Sequence, residues 1–117
     1  MKITRIYTDT AGESVFEDMD IPLREAGEIG RLSDRQDARS IIFRETGGDY
    51  NYDFHNAPER QYIIMLDGLT EIETSLGERR RFGAGDILLV EDTTGKGHKS
   101  WSADGKPRRS IFVPLPE

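Results

Sequence analysis

The chain contains two histidines, His55 and His98, the side chains best suited to proton transfer near neutrality or to binding a metal ion. His98 lies in the stretch LLVEDTTGKGHKSW, residues 88–101, where an apolar run gives way to two acids, two threonines and Gly-Lys-Gly. A phosphate-binding loop is one reading of this stretch. Such a loop needs a glycine five residues before the Gly-Lys pair, a serine or threonine after it, and a helix that starts there. Val90 and Gly97 occupy those two places and HKSW reads as strand, which removes that reading. The glycines instead let the chain double back and present His98 on the next strand. The partner available to it is His55 in NYDFHNAPERQY, residues 51–62, at the end of a strand that leads through Pro58 into an apolar run.

The elements that must position these histidines are strands. Apolar runs of four to seven residues are broken by Gly, Pro, Asp or Asn, and no long stretch has helical periodicity. This pattern predicts an all-β domain with strands near 2–7, 15–21, 28–32, 39–45, 50–55, 61–66, 69–75, 78–82, 86–90, 98–103 and 109–113. A short helical turn is expected at 22–26, opened by Pro22. In MLDGLTEIE, Asp67-Gly68 between two apolar runs predicts a two-residue hairpin with positive φ at both turn positions. Further turns are expected at Gly77 and at Gly83 to Gly85. QYIIML (61–66) and ILLV (87–90) are apolar on both faces, so each should have a barrel interior on one side and a second layer or another subunit on the other. A homodimer is therefore expected.

Composition narrows the function classes. At 117 residues the chain forms one domain, with room for one core and one site. No apolar run approaches the ~20 residues that span a bilayer. MKITRIYTDT lacks the features of a secretory signal and there is no cysteine, so a cytoplasmic protein without a membrane partner is expected. Sixteen basic against 22 acidic residues give a net charge of -6, which disfavours nucleic acid. The basic cluster Arg79, Arg80 and Arg81 alternates across a strand and reads as a solvated face.

HNAPERQYIIMLDG and GAGDILLVEDTTGKGH together resemble the two sequence motifs of the small single-domain cupins. His55 falls at the first histidine of the first motif, Gln61 at its glutamate and Gly68 at its closing glycine. Gly85 and Asp86 match the start of the second motif, and His98 takes its histidine after a longer loop. The resemblance covers about residues 40–113, with residues 1–38 as strands packed on that core, and it implies a cupin-like jelly-roll β-barrel. It also shows departures: Ala57 stands where the first motif has its second histidine, Gln61 where it has a carboxylate, and Glu91 where proline is usual. The family's metal site uses three imidazoles and one carboxylate, of which two imidazoles and an amide are left here. Asp53, two residues before His55, shares its strand face by simple alternation, so a metal set of His55, His98, Asp53 and Gln61 is the expected form of any metal site. No tightly held cofactor is expected, with a weakly bound divalent metal as the alternative.

Without metal, His55 and His98 would serve as base and acid on a bound carbonyl or hydroxy compound, with Gln61 as an orienting amide. The resemblance implies a small-molecule ligand and admits metal-free isomerases and epimerases, lyases, metal-dependent oxygenases and binding modules without turnover. A structural dimer with a vestigial pocket is the blandest member of that set. Further ligand contacts are expected from Arg44, as a carboxylate holder if it points inward, and from Met65, Trp101 and the loop lysine Lys96. Alternation puts Tyr50 and Tyr52 on the face opposite His55, and Glu91 and Asp92 read as rim charges.

Overall fold

A computed structural model describes all 117 residues, Met1–Glu117, as twelve strands and a single 3-10 turn. The strands are β1 (Lys2–Thr8), β2 (Ser14–Asp20), β3 (Arg24–Glu25), β4 (Arg31–Leu32), β5 (Ile42–Thr46) and β6 (Asn51–His55). They continue with β7 (Gln61–Met65), β8 (Thr70–Thr74), β9 (Arg79–Phe82), β10 (Ile87–Val90), β11 (His98–Ser102) and β12 (Arg108–Pro114). A six-stranded sheet ordered β2-β1-β10-β7-β12-β5 lies over a four-stranded sheet ordered β6-β11-β8-β9. Between them lies a core drawn from both, with Ile6, Met65, Leu88 and Val90 from the larger sheet and Ile72 and Phe82 from the smaller. No helix is long and apolar enough to cross a membrane.

The doubly apolar strands behave as the pattern requires. On β7 and β10 the inner face fills the core, while the outer face joins Ile3, Leu89 and Leu115 in a second cluster against Tyr62 and Ile87. That second layer comes from the chain itself: the Leu115 N–H bonds to the Arg60 carbonyl at 2.9 Å, and the Tyr62 hydroxyl donates to Gln36 Oε1 at 2.5 Å. Each such aliphatic side chain contributes roughly 1.5–3 kcal/mol when fully buried. On the opposite wall, Arg79 and Arg81 pair with Glu73 and Glu71 across β8 and β9, and Arg80 reaches Asp18, as a solvated charged face should.

Two local expectations are corrected. Asp67-Gly68 does not close a hairpin, because β7 is already flanked by β10 and β12 and offers β8 no free edge. The segment is a corner between the sheets. Only Gly68 has positive φ, and Asp67 instead accepts bonds from the Arg109 N–H at 2.5 Å and from Arg109 Nε at 2.7 Å. The helical turn expected at 22–26 is also absent. Residues 24–32 are exposed throughout, so no packing supports a helix, and the chain forms the small β3–β4 hairpin around the 3-10 turn Gly27–Ile29. The strand expected over 28–32 is reduced to Arg31–Leu32.

Strands β5 and β6 close their respective sheets as edges and are exposed for most of their length. The barrel is therefore tightly packed around β7, β8 and β10 and open between β5 and β6.

Candidate functional site

The two histidines meet. His98 opens β11 and His55 ends β6, and they are direct partners across the strand pair, with ring centroids 4.6 Å apart. Gly97 makes this approach possible. It sits at φ 77°, and a Cβ there would lie 2.3 Å from the His55 carbonyl oxygen. No other residue type fits such a contact without moving backbone.

His98 is only 5% exposed and its orientation is fixed by a carboxylate. Its Nδ1–H donates to Asp92 Oδ2 at 2.6 Å, and the Ser14 hydroxyl donates to the same oxygen at 2.7 Å. Asp92 is completely buried, and its other oxygen has no partner. It is thus no rim charge. Glu91 points elsewhere, bonded by Arg5 at 2.6 Å and Arg60 at 2.5 Å. Burial raises its pKa, but these two arginines outweigh that effect and hold it below the usual carboxylate value. The Asp92–His98 bond leaves Nε2 as the nitrogen His98 offers to the cavity.

His55 is held more loosely. Its Nδ1–H donates to the Asp53 carbonyl at 2.8 Å, which again leaves Nε2 free. Burial pushes its pKa below 6.5, with the charges of His98 and Arg44 acting in the same direction and the Asp53 and Asp92 oxygens against. The neutral imidazole is therefore its form at pH 7.

A bulge decides which of their neighbours join them. Opposite β11, β6 carries an extra residue between Tyr52 and His55, so the pairing shifts between His98 and Ser100. Simple alternation fails there. Tyr52 turns to the same side as His55, with ring centroids 3.9 Å apart, and the Tyr50 hydroxyl meets Ser100 Oγ at 2.6 Å inside the barrel. Both tyrosines line the cavity, against the expectation that they face away. Asp53 takes the opposite course. Its exposed carboxylate accepts the neighbouring Phe54 N–H at 2.8 Å and lies outside the cavity.

The cavity enclosed by these strands has a volume of about 400 Å³. His55, His98, Gln61, Met65 and Arg44 line it, as does Arg108, which was not singled out in the sequence. Trp101 does not. Because β11 keeps regular register with β8 and the bulge belongs to β6, Trp101 faces a shallow outer groove with the Arg79 guanidinium 5.4 Å from its ring centroid. Lys96 is likewise elsewhere, ion-paired to Glu13 where the loop packs on the β1–β2 turn.

This donor set does not fit the metal site of the cupin motifs. Two imidazoles and the amide of Gln61 face the cavity, Asp53 is turned out, and Asp92 is engaged by His98 Nδ1 and Ser14. No cluster of three histidine or acid side chains is placed to hold an ion. Asp92, Arg108, Tyr50 and Tyr52 are the residues that sequence reasoning missed. Arg108 was accessible through the alternation of β12, where Arg108, Ser110 and Phe112 point inward. The inward turn of Tyr50 and Tyr52 depended on the bulge.

No protein-family model matches the chain, and no curated protein matches it. Solved structures do. A conserved protein of unknown function from Streptococcus pyogenes aligns with a TM-score of 0.52 at 22% identity, over 74% of this chain and 71% of that one. A cupin 2 conserved barrel domain protein from Salinispora arenicola aligns with a TM-score of 0.53 at 18% identity, over 65% of this chain and 61% of that one. A protein from Neisseria meningitidis aligns with a TM-score of 0.51 at 14% identity, over 65% and 72%. At these identities the likeness is one of fold. The chain is an all-β, cupin-like jelly-roll barrel.

Proposed function

We propose that this cupin-fold barrel binds a small organic molecule against His55 and His98 and acts on it as an acid/base enzyme of the isomerase, epimerase or lyase type. The observation that supports this reading is the bond between His98 and a fully buried carboxylate, with a second, neutral imidazole beside it in the same cavity. His55 Nε2 is the base. It removes a proton from carbon next to a carbonyl, the bonding pair moves onto the carbonyl oxygen, and that oxygen takes a proton from His98 Nε2–H. Asp92 holds the His98 ring through Nδ1, so that Nε2 faces the oxygen. Where the carbon that loses its proton carries a hydroxyl, His55 returns that proton to the former carbonyl carbon while the hydroxyl gives its own proton to His98 Nε2, which completes an isomerisation and resets both rings. Gln61 orients the oxygen through its amide.

Both imidazoles stand on paired strands of one sheet, so they address the same face of the bound molecule. That favours transfer between neighbouring atoms, as in isomerisation or elimination, over two-base inversion from opposite faces.

The test is proton NMR in D2O with a panel of small oxo and hydroxy compounds. Deuterium should enter a carbon next to the carbonyl of at least one of them, and His98→Gln should abolish the exchange. A compound that raises the melting temperature by mass action yet exchanges nothing would make the barrel a binding module without turnover. We also infer a homodimer, on the exposed apolar residues of the open edge, with Ile41 57% and Phe43 75% exposed. Light scattering at the monomer mass over micromolar concentrations would remove that inference.

A further inference from the structure

We propose that the end of the cavity away from the histidines is an anion subsite, in which Arg108, with Arg44 at the mouth, holds the carboxylate of a short-chain organic acid. This rests on the reading that the barrel binds a small molecule against His55 and His98, and it adds the chemical class of that molecule.

Arg108 is only 8% exposed, yet no acid neutralises it. One of its N–H groups donates to the Thr70 hydroxyl, its Nε–H has no partner, and the charged or titratable groups that act on it are Tyr50 and a second cation, Arg44. A guanidinium buried without a counter-charge is costly, and the cost falls away when a ligand brings the negative charge. Burial accordingly pulls the pKa of Arg108 down. The Arg44 guanidinium lies 4.9 Å from the Phe112 ring centroid and 5.9 Å from that of Tyr50, while that of Arg108 lies 5.2 Å from Tyr50. Two cations therefore approach one aromatic ring, and Arg44 acts on Arg108 as a like charge, a repulsion that a bound anion relieves. Glu59, the one acid that lines the cavity, is ion-paired with Arg39.

Spacing favours an organic acid over an inorganic ion. Arg108 bonds to Thr70 at one end of β8, and His98 is paired with Thr74 at the other. Four residues of strand cover ~13 Å. Once both side chains have reached inward, a short carbon chain remains to be filled, and a cavity of about 400 Å³ accommodates one. Its carboxylate sits on Arg108 and its reactive carbon against the imidazoles.

Linear oxo acids of three to six carbons, each paired with its methyl ester, and inorganic phosphate provide the test, by calorimetric titration of the full chain. The acids should bind about thirtyfold or more tightly than their esters, the loss typical of removing one partner of a buried charge pair. Arg108→Met should erase that preference, and because it removes an uncompensated buried cation the free variant should melt no lower than the parent. His98→Gln should keep the preference. Esters that bind as well as acids, a preference that survives Arg108→Met, no binding by any acid, or binding of phosphate that the acids cannot displace would each overturn the subsite. Acid binding with no proton exchange would instead sink the catalytic reading and leave the subsite standing.

Discussion

His98 and His55 lie side by side but are held by different means. His98 stands in the packed part of the barrel, on a strand paired on both sides, with Asp92 and Ser14 fixing its ring. His55 stands on the edge strand β6, beside a bulge, and bonds only to a carbonyl of its own strand. One imidazole is set by a buried carboxylate, the other by local backbone and partial burial. The difference assigns roles: a ring oriented through Nδ1 by a buried carboxylate suits the proton donor, and a ring that burial keeps neutral suits the base.

The sharpest way to break this contrast is to remove the carboxylate alone. Asp92→Asn keeps the shape but replaces the carboxylate that orients the His98 ring, and should slow deuterium exchange by roughly 10²–10⁴-fold. His55→Gln should cost a similar factor. If the two rings act as a unit, the double variant should be little worse than either single one, whereas multiplicative losses would mean that they work independently.

A smaller effect is expected from the backbone that brings the rings together. Gly97→Ala must place a Cβ against the His55 carbonyl, so it should lower stability to urea by at least about 2 kcal/mol. Gly77 has a similar φ of 89° in the β8–β9 turn but open space around it, so Gly77→Ala should cost only about 1–2 kcal/mol of left-handed strain. Equal losses at the two positions would show that strain alone, and not the approach of the two strands, determines the requirement for glycine at 97.

The contrast also explains what could be read from the sequence. Apolar runs bounded by turn residues located β7 and β10, and the glycine loop with the motif match placed His98 on β11, because those strands are regular and doubly flanked. The pairing of His55 with His98 was legible from the motif spacing. Alternation failed where the ladder does: one extra residue in β6 carried Tyr50 and Tyr52 into the cavity and Asp53 out of it. Asp92 was misread because an acid in a polar loop looks solvated until the fold buries it under Ser14 and His98. Asp67-Gly68 looked like a hairpin because local turn chemistry does not reveal that both edges of β7 are already taken.

The smallest effect separates the histidines by pH. The pKa of His55 is below 6.5 in the folded chain, so between that lowered value and 6.5 the unfolded chain binds more protons than the folded one. Stability therefore rises with pH through this window, and the contribution of His55 is lost as pH falls below 6.5. His55→Gln removes that dependence, so the variant should gain on the parent in urea midpoint between pH 7.5 and 5.5. Taking the difference between the two proteins cancels the carboxylates, including Glu91 and Asp67, whose lowered pKa values place their own losses at more acid pH. If the parent and His55→Gln lose stability in parallel across that interval, burial does not hold His55 neutral, and the assignment of the base to the open side of the barrel fails with it.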